Sequence, residues 1–188
     1  MKNRLYDVIK VPVIFIIKLL YSPKVVNKEK IPVEGPVILA ANHRYALDPV
    51  LFAMSTRRSI YFLAKKELFF PVFRSLLKGI GAIPIDRSKK NKSARDEAKS
   101  YLDKGAVLSI FPEATRNRTD ELLPFKFGAV SLAQKTNAYI VPSAITGEFS
   151  FFKRNIRIVY GNPFKISKDM NLEDANELLK KKIEDLLK

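Results

Sequence analysis

The chain has 188 residues, 47% of them hydrophobic, with no cysteine, one histidine and a formal net charge of +15 at pH 7. This length and apolar content indicate one folded domain, and the absence of cysteine excludes disulfides, thiolate metal sites and a thiol nucleophile. The excess of positive charge predicts an acidic partner, which is a nucleic acid, an anionic membrane or an acidic carrier protein.

The first predicted element is a helix over residues 4–21, whose longest uninterrupted apolar run, residues 11–17, is too short to span a bilayer. At about 100° per residue, its charged residues fall within one arc of about 120°. These residues are Arg4, Asp7, Lys10 and Lys18. The pattern predicts an amphipathic helix lying in a membrane interface, with its cations beside lipid phosphates. The alternative is a terminal helix that packs on its own domain.

After Ser22 and Pro23, short apolar runs alternate with helical patterns. The predicted strands cover residues 37–41, 60–64, 82–85, 107–111, 139–144 and 157–160. The predicted helices cover residues 49–56, 66–77, 93–104, 127–136 and 172–187. This alternation predicts an α/β fold with a mixed, largely parallel sheet flanked by helices. We therefore expect a membrane-association helix at 1–24 and one α/β domain at 25–188.

The single histidine, His43, lies in the segment Asn-His-Arg-Tyr-Ala-Leu-Asp-Pro at 42–49, with Asp48 five positions later. On one helix the two side chains would point about 140° apart, so they cannot share a helix face. Asp48 and Pro49 have the pattern of an N-cap and a first helical residue, which leaves His43 on a loop that can fold back toward Asp48. The pair then predicts a general base oriented by a carboxylate. A surface histidine beside an ordinary N-cap aspartate is equally compatible with these residues alone.

Polar and charged residues also follow the other predicted strands, at Lys65, at 86–87, at 113–116 and at 143–147. Since functional groups in α/β folds gather where parallel strands end, we expect a base, a carboxylate and several cations at one edge. Cations beside a base favour an anionic substrate, and arginine matches phosphate in a bidentate way. The alternatives are solvated surface charges and, for Glu113, a structural salt bridge to a nearby arginine.

Four segments in order resemble the motif blocks of the glycerolipid acyltransferases typified by 1-acylglycerol-3-phosphate acyltransferase. Residues 42–48 resemble the signature in which four residues separate His from Asp, and Gly-Ala-Ile-Pro-Ile-Asp-Arg at 81–87 resembles the second block. Phe-Pro-Glu-Ala-Thr-Arg at 111–116 resembles Phe-Pro-Glu-Gly-Thr-Arg, and Val-Pro-Ser-Ala-Ile at 141–145 resembles the fourth block. The resemblance covers about residues 30–165.

Two positions depart from the blocks. Ala114 replaces the usual glycine, and Asn117 stands where serine is frequent. A methyl group at Ala114 disfavours a positive φ angle and can crowd a backbone approach.

The resemblance implies acyl transfer from a thioester, carried by acyl carrier protein or coenzyme A, to the free hydroxyl of lysophosphatidic acid. The product would be phosphatidic acid, in phospholipid biosynthesis. His43 would take the hydroxyl proton, and Asp48 would orient His43 and stabilise its imidazolium. No cofactor and no metal is expected besides the thioester co-substrate.

The same resemblance assigns the remaining candidate residues to substrate binding. Arg87 and Arg116 would hold the substrate phosphate, with Lys65 as a weaker candidate. Glu113 and Thr115 would shape the acceptor pocket.

The expected partners are a membrane surface with anionic lipid, the thioester donor and a lysophospholipid acceptor. We expect no nucleic acid, because the chain has no recognisable binding motif for one. The expected location is peripheral or monotopic, on the cytoplasmic face of a membrane. Glycerol-3-phosphate or another lysolipid as the acceptor, and a non-catalytic lipid-binding protein, remain alternatives. The apolar stretch at 68–73 is predicted to guide an acyl chain, to enter the membrane or to form a buried helix face.

Overall fold

A computed structural model describes residues 4–86, 91–119, 121–150 and 154–188. Arg87, one of the two expected phosphate ligands, lies outside these residues. The helices are α1 (Arg4–Tyr21), α2 (Asp48–Ser55), α3 (Pro71–Gly79), α4 (Lys92–Asp103), α5 (Gly128–Thr136) and α6 (Leu172–Leu187). The strands are β1 (Lys24–Val26), β2 (Val37–Ala41), β3 (Ile60–Lys65), β4 (Ala82–Ile85), β5 (Val107–Ile110), β6 (Tyr139–Thr146) and β7 (Arg157–Tyr160).

The strands form one seven-stranded sheet in the order β1-β7-β6-β2-β5-β3-β4. The run from β6 to β4 is parallel, β7 is antiparallel to β6, and β1 is parallel to β7. The predicted mixed, largely parallel sheet is confirmed. The carboxyl ends of β6, β2, β5, β3 and β4 therefore meet at one edge of the sheet, which we call the carboxyl edge.

The central strand β2 is fully buried on both faces. Ile38 and Ala40 pack with residues of α4, α5 and α6, whereas Leu39 and Ala41 pack with α2 and the start of α1. A parallel sheet covered on both faces produces the continuous apolar run seen in this strand. The crossover through α3 advances across the sheet in the same direction as the crossover through α2. Because such crossovers are right-handed, α2 and α3 lie on one face, and α1 packs against α2 on that face, called here the α1–α3 face.

Three local features differ from the sequence prediction. The edge strand β1 was missed, because three residues are too few to show a period. The helix predicted at 66–77 is a 3₁₀ turn at Lys66–Leu68 followed by α3, since Phe70 before Pro71 is extended. Strand β5 ends at Ile110, one residue before the predicted end, whereas β3 and β6 run one and two residues beyond theirs, to Lys65 and Thr146.

Helix α1 packs on the domain with one side. Tyr6 and Ile17 are buried there, and the Lys10 ammonium donates to the carbonyl oxygen of Thr56 at the end of α2. Burial lowers the pKa of Lys10, against the opposing effect of the Asp7 carboxylate. Lys10 therefore points toward the protein, not toward a lipid phosphate as the predicted polar arc required.

The other side of α1 is exposed and apolar. Val8, Val11, Phe15 and Leu19 are each more than half exposed. Among the described residues, no helix is long and apolar enough to cross a bilayer. The interfacial role of α1 stays a prediction, as does the division of the chain at residue 24.

Candidate active site

His43 and Asp48 are in direct contact. The distance from His43 Nδ1 to Asp48 Oδ2 is 2.9 Å, and the same oxygen accepts the backbone N–H groups of Arg44 at 2.7 Å and Tyr45 at 2.8 Å. The Asp48 side chain is completely buried, while that of His43 keeps 12% of its surface exposed. One carboxylate oxygen therefore fixes both the imidazole and the turn that carries it.

Asp48 is not the N-cap that the sequence predicted. Helix α2 begins at Asp48, the cap position belongs to Leu47, and Pro49 is the second helical residue. The carboxylate turns back to the loop before the helix instead of satisfying the first amides of α2. This reversal brings together two side chains that a continuous helix would hold apart.

The contact sets the tautomer of His43. An ionised carboxylate only accepts hydrogen bonds, so Nδ1 carries the proton and Nε2 keeps its lone pair. The ring also stacks on Phe111, with centroids 4.1 Å apart and planes inclined by 19°. Ala40 of β2 is in register with Ile110 of β5, so the residues that follow the two strands become neighbours. The sequence analysis missed this role of Phe111, because the signal depends on that register.

Glu113 is a second buried carboxylate, 4% exposed, directly behind the histidine. Its Oε1 accepts the backbone N–H of His43 at 3.0 Å, and its Oε2 accepts the backbone N–H of Leu123 at 3.1 Å. Both partners are backbone N–H groups. They differ from the alternative given in the sequence analysis, a salt bridge from Glu113 to the guanidinium of a nearby arginine. Glu113 thus positions the loop that carries His43.

Asn117 completes this arrangement. Its backbone N–H donates to the carbonyl oxygen of His43 at 2.7 Å, and its side-chain amide donates to Glu113 Oε2 at 3.2 Å and to the carbonyl oxygen of Glu121 at 2.6 Å. Its Oδ1 accepts the N–H of Thr119 at 3.0 Å. The departure from serine at this position therefore supplies an amide that donates and accepts within the loop.

Asn42, which the sequence analysis did not single out, joins the ends of two parallel strands. Its side chain donates to the carbonyl oxygen of Ile145 at 2.9 Å and accepts the N–H of Ile145 at 2.8 Å. It also lines a polar cavity of about 270 Å³ together with Arg44, Thr119 and Glu148. The residue before His43 is thus fixed to β6.

The remaining candidates are exposed at the carboxyl edge. Thr115 and Arg116 lie on the loop between Glu113 and Asn117, which are the residues that anchor it. Lys65 ends β3, two strands from β2, or about 10 Å away at normal strand spacing. The structure therefore brings His43, Asp48 and Glu113 together and leaves Thr115, Arg116 and Lys65 open to a ligand.

Ala114, which stands where the resembling block has glycine, has a left-handed backbone conformation. Its φ is +57°, and its N–H donates to the carbonyl oxygen of Phe111 at 3.0 Å across a tight turn. The left-handed region costs an L-residue with a Cβ roughly 1–2 kcal/mol. The turn of the third block is therefore kept at a cost in backbone strain.

Comparison with known proteins agrees with this geometry. A family model described as Acyltransferase matches residues 22–146, which include His43, Asp48 and Glu113. The chain belongs to the acyltransferase family. It is 34% identical over 154 residues to 1-acyl-sn-glycerol-3-phosphate acyltransferase of Bacillus subtilis, covering 79% of this chain and 76% of the relative. It is 33% identical over 135 residues to the protein of that name from Borreliella burgdorferi, covering 70% of this chain and 54% of that relative.

A solved structure shares the fold. The crystal structure of the 1-acyl-sn-glycerophosphate acyltransferase PlsC from Thermotoga maritima matches 99% of this chain and 83% of its own, with a TM-score of 0.70 at 22% identity. The chain thus spans most of the length of two of these three proteins and about half of the Borreliella protein.

We predict that Ala114→Gly stabilises the protein by up to about 1 kcal/mol, because glycine removes the left-handed strain while adding unfolded-state entropy. Urea unfolding measures the change. Ala46→Gly, at an exposed position without a positive φ, is the control and should give no gain. A less stable Ala114→Gly protein would contradict the strain account.

We predict that Glu113→Gln lowers kcat with little change in KM for the acceptor, because the buried carboxylate holds the loop that carries His43. Glu113→Ala should also destabilise the fold by roughly 2–5 kcal/mol, since buried donors lose their acceptor. Glu121→Gln, on the exposed part of the same loop, is the matched control. A higher acceptor KM at unchanged kcat would instead support the substrate-binding role predicted from the sequence.

Proposed function

We propose that this chain transfers an acyl group from a thioester to the free hydroxyl of 1-acylglycerol-3-phosphate. The observation that carries the proposal is the 2.9 Å contact between His43 Nδ1 and a completely buried Asp48 carboxylate. That contact leaves Nε2 as a proton acceptor on the only imidazole of the chain. The names of the Bacillus and Borreliella relatives support this choice of acceptor.

In this mechanism His43 Nε2 takes the proton of the acceptor hydroxyl as its oxygen bonds to the thioester carbonyl carbon. The Asp48 carboxylate stabilises the resulting imidazolium. When the tetrahedral intermediate collapses, the carbon–sulfur bond breaks and the leaving sulfur receives the proton from His43. The ester and a free thiol are the products, and His43 returns to its neutral form without an acyl-enzyme.

The substrate phosphate is assigned to cations at the carboxyl edge. Arg116 is exposed on the loop that Glu113 and Asn117 anchor, and Lys65 is exposed at the end of β3. Arg87, which follows β4, is retained from the sequence analysis as the third cation. Guanidinium groups bind phosphate through two parallel hydrogen bonds, which favours the arginines over Lys65.

The proposed acyl donor rests on the net charge of the chain, and the proposed membrane contact rests on the exposed apolar side chains of α1. Acyl carrier protein and coenzyme A are both acidic, and the net charge of +15 suits either. The exposed apolar side of α1, with Val8, Val11 and Phe15, would rest on the cytoplasmic surface of an anionic membrane. The product, phosphatidic acid, would enter phospholipid biosynthesis.

The direct test is an assay with a radiolabelled acyl group, offering both thioester donors and both phosphorylated acceptors. The proposal predicts incorporation into 1-acylglycerol-3-phosphate. Incorporation into glycerol-3-phosphate alone would move the activity to the other acceptor. Lipid binding without turnover on any pair would contradict the enzyme assignment.

We predict that His43→Ala loses about 10²–10⁴ in rate because the base is removed. The protein should stay folded at a lower melting temperature, since the buried Asp48 carboxylate loses a donor and Phe111 loses its stacking partner. Asp48→Asn should lose a similar factor, since it removes the negative charge but keeps an oxygen for the amides of Arg44 and Tyr45. Asp48→Ala should lose both rate and stability, because those buried amides lose their acceptor. Near-wild-type rates in folded His43→Ala protein would exclude the mechanism.

We predict that Arg116→Ala lowers kcat/KM for the phosphorylated acceptor about 10- to 100-fold, as expected for one lost charge-assisted contact. The KM for the donor should change little. Arg57→Ala, exposed between α2 and β3, is the matched control and should leave both constants unchanged. A rise in the donor KM alone would place Arg116 in a donor site.

A further inference from the structure

Helix α3 covers no core. None of its residues is buried, and Val72 keeps 79% of its surface exposed. The interpretation of this stretch as a buried helix face is therefore wrong. A helix of this kind gains little stability from internal packing, so its exposed large apolar side chains need another explanation.

Exposed apolar side chains are concentrated around this helix. In the part of the chain that the structure describes, eleven of the sixteen exposed large apolar side chains belong to α1 or to residues 68–76, and none lies in α4, α5 or α6. The two groups are Leu5, Val8, Val11, Phe15, Ile16 and Leu19, and Leu68, Phe70, Val72, Phe73 and Leu76. The asymmetry marks the α1–α3 face as the apolar side of the molecule.

The two groups form one surface. The side chain of Leu5 in α1 packs on Gly79 at the end of α3, so closely that a Cβ at Gly79 would collide with it. The surface also approaches the carboxyl edge, because the 3₁₀ turn at Lys66–Leu68 directly follows the carboxyl end of β3. Leu47, the residue before Asp48, is also exposed.

The charges around α3 distinguish a bilayer from an apolar protein partner. At about 100° per residue, Val72, Leu76 and Phe73 share one side of α3, whereas Arg74 and Lys78 lie together on the opposite side. Both cations are exposed. This is the arrangement of a helix whose apolar side enters the acyl boundary while its cations meet anionic headgroups.

We propose that residues 68–76 are a second membrane-docking element, continuous with α1, which binds an anionic bilayer and holds the carboxyl edge against it. A lysolipid acceptor would then reach His43 without leaving the membrane. This last clause rests on the proposed function, whereas the docking itself does not.

The docking is tested by flotation of the full chain with vesicles of phosphatidylcholine and phosphatidylglycerol in a 7:3 ratio. Val72→Asp should lower binding roughly tenfold or more, because it puts a charge where the bound protein would bury an apolar side chain in the bilayer. The new aspartate lies in the first turn of α3, where an acidic residue stabilises a helix. If Val72→Asp nevertheless impairs folding, Phe70→Ser is the second variant. The matched control is Val33→Asp, which is 84% exposed in the loop before β2 and outside both apolar groups, and it should float like the wild type.

The contribution of Arg74 and Lys78 to vesicle binding is tested by reversing their charges. Arg74→Glu combined with Lys78→Glu should reduce binding at low salt and lessen its salt dependence, since screening weakens only the charge interaction. Lys135→Glu combined with Lys181→Glu changes the net charge equally on α5 and α6, both on the opposite face, and should have a smaller effect. Equal losses in the two pairs would mean that only net charge matters and would overturn the assignment to α3.

Acyl transfer separates this proposal from the proposed function. Val72→Asp should retain the wild-type rate on a short-chain acceptor below its micelle concentration and lose rate on an acceptor embedded in vesicles. Normal flotation with a lower rate on the monomeric acceptor would assign the segment to an acyl chain and overturn the proposal. Normal flotation with loss of a concentration-dependent dimer would assign it to a second copy and also overturn it. If the wild type shows no transfer at all, the proposed function fails while the flotation result still decides the docking.

Discussion

The site depends on one oxygen of Asp48. That atom accepts the imidazole N–H of His43 and the backbone N–H groups of Arg44 and Tyr45, all within 2.9 Å, from a completely buried position. A carboxylate that deep needs hydrogen-bond donors, and here the catalytic loop supplies three of them to Oδ2. Burial, loop conformation and the tautomer of His43 are therefore a single constraint. A change that frees the carboxylate disturbs all three.

Glu113, in the loop after the neighbouring strand β5, is a second buried carboxylate that accepts backbone N–H groups. Among the described residues, the partners of both buried carboxylates are amides and one imidazole rather than lysine or arginine. In a chain with a net charge of +15, this leaves cations such as Arg116 and Arg74 available to ligands. The two apolar helices on one face and the cations beside them then suit a substrate that is half lipid and half phosphate. Fold, charge and exposure point to the same interface.

The sequence predicted the parts that local patterns determine. The apolar run of β2 and the helix start near Asp48 were enough to place His43 on a turn, and the alternation of elements was enough for the sheet. Contacts that depend on register between distant strands were not predicted. These are the stacking of His43 on Phe111 and the hydrogen bonds from backbone N–H groups to the Glu113 carboxylate. The N-cap assignment of Asp48 failed because its carboxylate had a second set of donors in the preceding loop. Ala114 lay between these cases: the departure was visible, but only the structure showed a φ of +57°.

Because His43 is the only histidine, the ¹⁵N spectrum of histidine-labelled protein reports on this imidazole alone. The account predicts that, above the pH at which the ring loses its charge, Nδ1 gives the signal of a protonated ring nitrogen and Nε2 that of an unprotonated one. Asp48→Ala should abolish that preference while leaving the ring detectable. A wild-type ring protonated at Nε2 would contradict the central claim, because the nitrogen open to substrate would then be a donor rather than a base.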